Sequence, residues 1–355
     1  LLTTVAIIIL YILERITNME IFEILTDMPK NQVIVDNFIK AWSKINSDKY
    51  HKILCSISGG ADSDVVLDIC TKCDVDHKID YVWFDTGLEY QATKDHLKEL
   101  EAKYGVTIRP YRAIKPIPLT CKKYGQPFIS KNASEMIRRL QAHNFKWEDG
   151  DFEELLARYP HCKCALKWWC NQHPTSTFNI VKNAWLKEFM MAYPPDFMIS
   201  NVCCKYAKKD VAHKILDEND YDLNITGLRK AEGGVRATAY KSCFDEKCGE
   251  ADNYRPIWWY KDNDKKDYEE FFDVVHSKCY TEYGLERTGC AGCPFGKDFE
   301  NELTIIKKYE PRLYVAVNNI FGKSYEYTRK YKEFCAEMNK TYKSYSNYLR
   351  LKEGD

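Results

Sequence analysis

The stretch KILCSISGGADSDVVLDICTKC, residues 52–73, decides the fold. Its first seven residues form a short β-rich run that stops at Gly59-Gly60, which predicts a strand followed by a loop. From Ser63 onward, closely spaced apolar residues predict a helix. The sequence therefore predicts a strand that passes through a glycine loop into a helix.

The residues on either side of this stretch repeat the alternation of strand and helix. Gly105 closes the third predicted helix, and Gly87 lies in a turn at the end of the second predicted strand. The further strands are predicted at YVWFDTG (81–87), VTIRPYRA (106–113) and DLNITGLR (222–229), with helices at 33–46 and 90–105. Strands that alternate with helices of this length predict βαβ units and an α/β fold with a parallel sheet.

The remaining chain is mostly helical in pattern. Residues 120–200 predict a helical, aromatic insertion, and the chain after Pro256 becomes helical again. We therefore expect a main domain over 19–260 with a helical insertion at about 120–200, and a helical C-terminal region over 261–355.

Composition limits the class of protein. The 355 residues are 45% apolar and 29% charged, which excludes a largely disordered chain. Lys plus Arg and Asp plus Glu are both 52, so no global basic field attracts nucleic acid, although local patches are allowed. The 15 cysteines are too dilute for a disulfide scaffold and favour thiolate chemistry in a reducing compartment, so the expected location is the cytoplasm.

Residues 1–13, LLTTVAIIILYIL, are almost wholly apolar. The run is shorter than the roughly 20 residues that span a bilayer, and it lacks the flanks of a secretory signal. The first Met is Met19. Residues 1–18 are therefore expected to be upstream sequence or a leader without a functional role, with a membrane anchor or a buried helix as alternatives.

Residues 58–63, SGGADS, predict an anion-binding loop. Glycines let backbone N–H groups approach an anion, and the N-terminus of the following helix adds a favourable dipole. Ser58 and Ser63 supply hydroxyl donors, and Asp62 is placed to cap the helix or to help hold Mg²⁺. No Lys follows the glycines, so this is not the GxxxxGK[ST] loop. The alternative is an ordinary capped turn.

Four segments together resemble one superfamily. SGGADS resembles the SGGxDS loop of the PP-loop ATP pyrophosphatases and of phosphoadenosine phosphosulfate (PAPS) reductases. The segments 84–90, 227–236 and 254–259 resemble the later motifs of the PAPS reductase family, in family order over about 60% of the chain. The resemblance implies a HUP-like, doubly wound, mostly parallel five-stranded sheet with nucleotide at the carboxyl ends of its strands.

The resemblance also implies roles for individual residues. Arg229 and Arg236 suit contact with phosphate or sulfate, and Asp85 suits a metal ion or the ribose. A surface ion pair for each Arg and a turn-stabilising role for Asp85 are the alternatives. The implied catalytic residues are Asp62, Ser63, Arg229 and Arg236, and the implied nucleotide-binding residues are Ser58, Gly59, Gly60, Asp62, Ser63, Asp85, Thr86 and Gly87.

Two cysteine pairs form a second motif: the vicinal Cys203-Cys204, and Cys290 and Cys293 of a CxxC. They resemble the CC…CxxC arrangement that binds a [4Fe–4S] cluster in sulfonucleotide reductases and in phosphorothioation enzymes. Four thiolates suit a cluster or zinc equally well by ligand count, and the vicinal pair favours the cluster. Four buried thiols without metal are the alternative. Lys208 keeps the family pattern after the pair, whereas Ala207 and Val211 depart from it.

Two other regions are open to interpretation. Cys162, Cys164 and Cys170 lie near two histidines and predict either a second metal site or an aromatic helical patch. The segment 323–355 has eight Lys or Arg, five Asp or Glu and interleaved tyrosines, which is typical of nucleic-acid contact or of a solvated amphipathic helix.

Three functions fit these motifs. The favoured hypothesis is an enzyme that cleaves ATP between its α- and β-phosphates, with Mg²⁺, and couples adenylation to sulfur transfer. It implies a sulfur donor protein, such as a cysteine desulfurase or a thioredoxin-like protein, and allows a nucleic-acid acceptor. A reductase of PAPS or adenosine phosphosulfate is the second hypothesis, but Cys335 in EFCAE lacks the Gly and His of the reductase tail. The third is a non-catalytic, metal-containing nucleic-acid-binding module.

Overall fold

Two compact units make up the protein in the computed structural model, which describes residues 28–233, 239–247, 250–296 and 298–353. Unit 1 contains the described residues as far as Asp85, together with Glu89–Tyr111 and Val211–Gly289. Unit 2 contains Thr86–Leu88, Arg112–Asp210 and the described residues from Cys290 onward. The expected leader, 1–18, and Arg236 lie outside the described residues.

The secondary structure follows the predicted alternation. The strands are β1 (Ile53–Ser56), β2 (Ile79–Asp85), β3 (Ile108–Arg112), β4 (Leu223–Thr226), β5 (Phe244–Asp245) and β6 (Asp252–Tyr254). The helices are α1 (Gln32–Ile45), α2 (Ala61–Cys73), α3 (Gln91–Tyr104), α4 (Ile117–Tyr124), α5 (Lys131–Ala142), α6 (Phe152–Arg158), α7 (Lys163–Trp169), α8 (Leu186–Ala192), α9 (Val202–Cys204), α10 (Asp210–Glu218), α11 (Asp262–Phe271), α12 (Lys278–Thr281), α13 (Phe299–Tyr309), α14 (Pro311–Tyr342) and α15 (Tyr345–Glu353).

The six strands form one sheet in the order β3-β2-β1-β4-β6-β5. β1 pairs in parallel with β2 and β4, and β4 pairs in parallel with β6, whereas β5 pairs antiparallel with β6. The predicted α/β class with a mostly parallel sheet is therefore confirmed. The sheet has six strands instead of the expected five because a two-residue antiparallel strand, β5, is added at its edge. A strand this short has no readable alternation.

The core of unit 1 packs helices on the sheet. α1 buries Ile34, Phe38, Ala41 and Ile45, which are spaced by three or four residues and so share one face. β1 is buried along Ile53, Leu54 and Cys55, as expected for a central parallel strand that is covered on both faces. This packing fixes the direction in which β1 enters the glycine loop.

Unit 2 is helical, and its core is aromatic. The rings of Phe128, Trp168, Trp169 and Phe189 are buried with neighbouring aliphatic side chains. The expected helical insertion lies in this unit, as does the expected C-terminal region from Cys290 onward, whereas residues 261–289 of that region belong to unit 1. No helix among the described residues combines the length and the apolar character needed to cross a membrane.

Candidate functional site

The predicted anion-binding loop lies at the carboxyl edge of the sheet in unit 1. β1 ends at Ser56, and its register partner at the end of β4 is Thr226. The loop 58–63 thus lies beside the segment that follows β4, which begins with Gly227. The chain leaves β1 and β4 at the point where the strand order changes direction, which is where ligands bind in open α/β sheets.

The hydroxyl of Ser63 organises the loop. Its Oγ accepts the N–H groups of Ser58 at 3.2 Å and of Gly60 at 3.1 Å, and it donates to the Gly60 carbonyl at 2.7 Å. The Ser58 hydroxyl donates to Oγ of Ser63 at 3.2 Å. Ser63 was predicted as a donor to phosphate. In this geometry its hydroxyl is hydrogen-bonded to the backbone of the loop and holds the loop in shape, which is a positioning role.

Two glycines are required by close approach. Gly59 has φ +67°, and a Cβ there would lie 2.8 Å from Cγ2 of Thr93. A Cβ on Gly227 would lie 3.2 Å from the Asp62 carbonyl oxygen, so the segment after β4 passes directly against the start of α2. The left-handed conformation at Gly59 turns the chain from β1 into α2 and is strained for any other residue.

The start of α2 leaves amide donors open. The N–H of Ala61 donates to Oη of Tyr280 at 3.2 Å. The N–H groups of Gly59 and Asp62 donate to no atom within the described part of the chain. Open amides at a helix N-terminus form an anion-binding site, because the helix dipole adds to their partial positive charge.

The carboxylate of Asp62 is paired with two cations. Its Oδ1 lies 3.0 Å from Nε of Arg229 and 3.1 Å from Nζ of Lys265. Arg229 also reaches the exposed Asp262 at 2.8 Å, and Lys265 reaches Glu269 at 3.2 Å. Burial lowers the pKa of Lys265, but Asp62 and Glu269 outweigh it and raise the pKa, so the ammonium stays charged. The loop therefore has two cations, Arg229 and Lys265, at its helical end.

A buried carboxylate lies on the next turn of α2. Asp64 is fully buried, and its Oδ2 lies 2.9 Å from Nδ1 of His276 and 3.1 Å from Nε2 of His96. Nε2 of His276 lies 2.9 Å from Oε1 of Glu269. Burial lowers the pKa of His276, but Asp64 and Glu269 outweigh it and raise the pKa to about 9. A charged His276 thus connects the buried Asp64 to the ion pairs of the loop.

Sequence reasoning missed three residues of the loop's surroundings: Lys265, Tyr280 and Thr288. Oη of Tyr280 accepts the N–H of Thr288 at 3.2 Å and lies 3.0 Å from its Oγ1. All three residues are more than 200 positions from the loop, and no local motif marks them. Only the tertiary fold of unit 1 identifies them.

The remaining predicted nucleotide-binding residues follow β2. Asp85 is its last residue and belongs to unit 1, at the same edge of the sheet as the loop. Thr86 and Gly87 belong to unit 2, where the Thr86 carbonyl accepts the N–H of Ile117 at 3.0 Å. Gly87 has φ +79°, and a Cβ there would lie 3.1 Å from Pro116. These two residues form the turn after β2 and contact the N-terminal end of α4.

All four predicted cysteine ligands lie in unit 2. Cys203 and Cys204 form α9, with Cys203 buried and Cys204 half-buried. A hydrogen bond with Cys121 of α4 raises the pKa of the Cys203 thiol, and burial adds to it. Cys121 was not predicted, because nothing in its local sequence distinguishes it from a small core residue. The structure thus places a fifth thiol beside the vicinal pair.

The CxxC lies in a tight turn. The N–H of Cys293 donates to the Cys290 carbonyl at 3.3 Å, and Gly292 has φ +61°. A Cβ on Gly292 would lie 2.7 Å from Oη of Tyr325, and the Gly292 N–H donates to Oε1 of Glu302 at 2.9 Å. The Phe295 amide is hydrogen-bonded to the thiol of Cys293.

Electrostatic interactions connect the two cysteine pairs. Burial, together with the nearby Cys290 and Cys204, raises the pKa of Cys293 to about 12. The pKa of Cys204 is also raised, mainly by its hydrogen bond with Cys203, while Lys131 and Lys208 act in the opposite direction. Across the described ranges, no group of three or more His, Cys, Asp or Glu side chains is arranged to hold a metal ion. The cysteine ligand set remains a prediction.

Comparison with known proteins supports the resemblance. Residues 52–155 match the family model of the phosphoadenosine phosphosulfate reductase domain. The uncharacterized protein MJ0066 of Methanocaldococcus jannaschii is 24% identical over 315 residues, which are 85% of this chain. The chain spans about half, 48%, of the length of that curated relative.

Three solved structures show remote similarity. A PAPS reductase of Candida auris in a phosphate complex is 14% identical, with a TM-score of 0.39 over 72% of this chain and 87% of that one. An NH3-dependent NAD synthetase of Campylobacter jejuni is 11% identical, with a TM-score of 0.35 over 83% and 95%. The U34-tRNA thiolase of Methanococcus maripaludis, with its [4Fe–4S] cluster, is 11% identical, with a TM-score of 0.36 over 86% and 80%.

The family match begins at the residue where the loop-bearing stretch begins, Lys52, and it contains the loop, β2 and β3. The resemblance inferred from the SGGADS motif is therefore confirmed for this part of the chain. Over residues 52–155 the chain is similar to the phosphoadenosine phosphosulfate reductase domain.

Proposed function

We propose that the chain binds ATP through residues 58–63, cleaves it between the α- and β-phosphates, and couples this step to sulfur transfer. The observation that carries the proposal is the loop itself. The open amides of Gly59 and Asp62 lie at the start of α2, beside the paired cations Arg229 and Lys265. Such a site suits a polyphosphate in both charge and donor geometry.

The residues act by positioning and by neutralising charge. A substrate oxygen attacks the α-phosphorus, the bond to the bridging oxygen breaks, and pyrophosphate leaves with that electron pair. The amides of Gly59 and Asp62 hold the β- and γ-phosphates, and Ser63 keeps the loop in shape. Arg229 stabilises charge on the phosphates, with Arg236 proposed for the same task. Preorganised donors of this kind supply most of the stabilisation in such a reaction. Mg²⁺ enters with the nucleotide, and Asp85 is the proposed contact to it or to the ribose.

The cysteine set fits an iron–sulfur cluster by its chemistry. Cys203, Cys204, Cys290 and Cys293 all lie in unit 2, and the Phe295 amide already donates to one sulfur. A [4Fe–4S] cluster, when bound, supplies iron that accepts a sulfur ligand or an electron. Zinc is the alternative with the same ligands. The many thiols of the chain favour the reducing cytoplasm and a sulfur donor such as a cysteine desulfurase or a thioredoxin-like protein.

A reductase of PAPS or adenosine phosphosulfate is the second candidate, favoured by the family description over 52–155. That reaction needs a thiolate that attacks sulfur. Cys335 is the candidate by position, but it lies within α14, and its thiol donates to the Ala184 carbonyl at 3.7 Å. Burial also raises the pKa of this thiol. A hydrogen-bonded thiol inside a helix is a poor nucleophile, so ATP cleavage has the stronger support.

Loop variants test the proposed reaction. Asp62→Ala and Ser63→Ala should abolish pyrophosphate release while the fold, followed by circular dichroism, stays intact. The expected loss is on the order of 10²-fold or more, as for other preorganised anion-binding groups. Calorimetry with ATP and with PAPS identifies the nucleotide. Unchanged affinity and turnover in both variants would refute the assignment, and nucleotide-independent metal binding without turnover would favour the non-catalytic module.

Metal analysis tests the cysteine site. Protein purified without oxygen should be brown and contain about four iron and four sulfide per chain. Cys204→Ser or Cys293→Ser should remove the colour, whereas the control Cys164→Ser, at an exposed position in the insertion, should keep it. Colourless protein with one zinc would replace the cluster by zinc on the same ligands. Folded, active protein without metal would discard the site.

A further inference from the structure

Two segments of unit 2 carry basic residues and no acidic residue. The two segments are residues 112–131 and 197–209. The second segment is bounded by Asp196 and Asp210. Their basic residues, here called the basic surface, are Arg112, Lys115, Lys122, Lys123, Lys131, Lys205, Lys208 and Lys209. All are exposed except the half-buried Lys115. Such segregation of eight cations is notable in a chain whose total charge is zero.

The two segments are packed against each other. The Gln126 N–H donates to the Met198 carbonyl at 2.8 Å, and the Ser200 N–H donates to the Gln126 carbonyl at 2.9 Å. The Asn201 amide also donates to the Lys131 carbonyl at 3.0 Å. These bonds bring together the cations from both segments, and the second segment contains Cys203 and Cys204.

A pair of tyrosines lies within the basic surface. The ring centroids of Tyr124 and Tyr206 are 5.6 Å apart, and both side chains are half-buried. Nζ of Lys115 donates to Oη of Tyr124 at 2.9 Å and lies 4.1 Å from the centroid of the Tyr206 ring. The lysine therefore fixes both rings, one from each segment, in a defined position.

Most of these cations lack an ionic partner. Within the described residues, no acidic side chain forms an ion pair with Arg112, Lys122, Lys123, Lys131 or Lys205. Some exposed cations elsewhere in unit 2 are paired, as in Arg329 with Glu300 at 2.8 Å. A concentration of unpaired positive charge attracts a polyanion, because the phosphates replace the missing carboxylates.

The other basic and aromatic region of unit 2, 323–355, is different. Its Tyr345 and Tyr348 rings each lie 4.7 Å from the ring of Trp185, and Tyr331 packs on Phe189 at 5.2 Å. Its Lys352 is paired with Asp149 at 3.1 Å. The aromatic residues of this segment serve the core of unit 2, so it is the less suitable surface for nucleic acid.

We propose that the basic surface of unit 2 binds single-stranded nucleic acid. This strand is the acceptor of the reaction proposed above, so the inference rests on that function. Phosphates contact the exposed lysines, and an unpaired base stacks on the Tyr124–Tyr206 pair. This combination of a charged track and aromatic rings is how proteins bind single strands. The position of Cys203 and Cys204 in the same segment places the strand beside the cysteine site.

Fluorescence anisotropy tests the binding directly. The full chain is titrated into a labelled single strand of about 20 nucleotides, as RNA and as DNA, at several salt concentrations. Lys122→Glu combined with Lys123→Glu should weaken binding at least about tenfold at low salt and make the salt dependence shallower by about 1.4 log units per log unit of salt. The matched control, Lys332→Glu combined with Lys340→Glu on exposed positions of α14, should stay within about twofold of the native protein.

A second variant separates stacking from charge. Tyr206→Leu should weaken binding by about fivefold or more and leave the salt dependence unchanged, because a lost stacking contact releases no counterions. This variant changes neither the charge of the basic surface nor the cysteines, so it is a second test that does not depend on the charge-reversed protein being folded. Circular dichroism and metal content of each variant confirm that unit 2 is intact.

The outcomes distinguish this inference from the proposed function. Single-strand binding that is lost in the Lys122/Lys123 variant supports the surface even when no pyrophosphate is released. Pyrophosphate release by native protein that binds no oligonucleotide would overturn the surface and leave the reaction. Tighter binding of a blunt duplex, or equal binding by both charge variants, would also overturn it.

Discussion

The phosphate loop of unit 1 and the basic surface of unit 2 use charge in opposite ways. Around the loop, every charged group named above has a partner: Asp62 is paired with Arg229 and Lys265, and Asp64 with His276. On the basic surface, Lys122 and Lys123 are exposed and form no ion pair with a described residue. One region holds its charges in fixed positions, and the other presents them to solvent.

The difference follows from what each region is proposed to bind. A small anion in a loop needs donors that are already oriented, and buried ion pairs supply that order, although desolvation offsets much of their gain in stability. A long polyanion needs many weak contacts, and exposed lysines form them without a fixed geometry. The comparison predicts that removal of a charge from the loop affects stability and turnover together, whereas removal from the basic surface affects binding alone.

The largest expected effect is at Arg229. Arg229→Met leaves Asp62 with one cation instead of two in a partly buried site, so the free energy of unfolding should fall by about 3 kcal/mol. Pyrophosphate release should fall at the same time. Urea unfolding and a pyrophosphate assay measure the two effects.

Arg112→Met is the matched control in unit 2. Arg112 is exposed and has no ion-pair partner among the described residues, so its replacement should change the free energy of unfolding by less than about 0.5 kcal/mol. The contrast between the units would be wrong if both variants lost the same stability, or if Arg229→Met kept full turnover.

The sequence predicts the fold of unit 1 well where elements are long and periodic. The helix expected over 90–105 is found at Gln91–Tyr104 with Gly105 left-handed at its end, φ +65°. The short strands β5 and β6 have two and three residues, and they were not predicted because no period is visible over so few positions. β6 takes its place in the sheet by pairing with β4, and β5 by pairing with β6, and both are tertiary interactions.

The candidate site was only partly predictable. The letters SGGADS indicate the loop, because glycine and helix-capping residues act locally. Lys265 and Tyr280 complete the loop from distant positions, and Cys121 contacts Cys203 from another helix. These residues have no spacing that relates them to the motif, so only the folded chain brings them together.

The second prediction concerns pH and His276. The raised pKa of His276, about 9 against 6.5 when unfolded, means that its pairing with Asp64 stabilises the native state fully below the unfolded pKa. That contribution is lost as the pH rises through about 9. His276→Gln should lower the free energy of unfolding by about 2 kcal/mol near pH 6, and native and variant proteins should converge near pH 10.

Urea unfolding of both proteins across this pH range measures the difference. A constant difference from pH 6 to pH 10 would mean that His276 acts through packing and that its charge has no part in holding Asp64. The ordered charge network of unit 1 would then end at Glu269. The control is His51→Gln, because His51 is 82% exposed and lies on a loop of the same unit.

The smallest effect separates strain from contact in the loop. Gly59 and Gly105 have nearly the same φ, +67° and +65°, but only Gly59 has an atom in the way of a Cβ, Cγ2 of Thr93 at 2.8 Å. Gly105→Ala should cost about 1 kcal/mol from the left-handed backbone, and Gly59→Ala about 1 kcal/mol more from the contact. Thr93→Ser removes that methyl group, so adding it to Gly59→Ala should make the cost of the alanine equal to that at Gly105. Thermal or urea unfolding of the four variants measures these losses of stability. An equal loss for Gly59→Ala and Gly105→Ala with Thr93 retained would show that the Thr93 side chain moves aside without cost. The loop would then be held by the hydroxyl of Ser63 and the ion pairs of Asp62 alone, and its precision would depend on charge more than on packing.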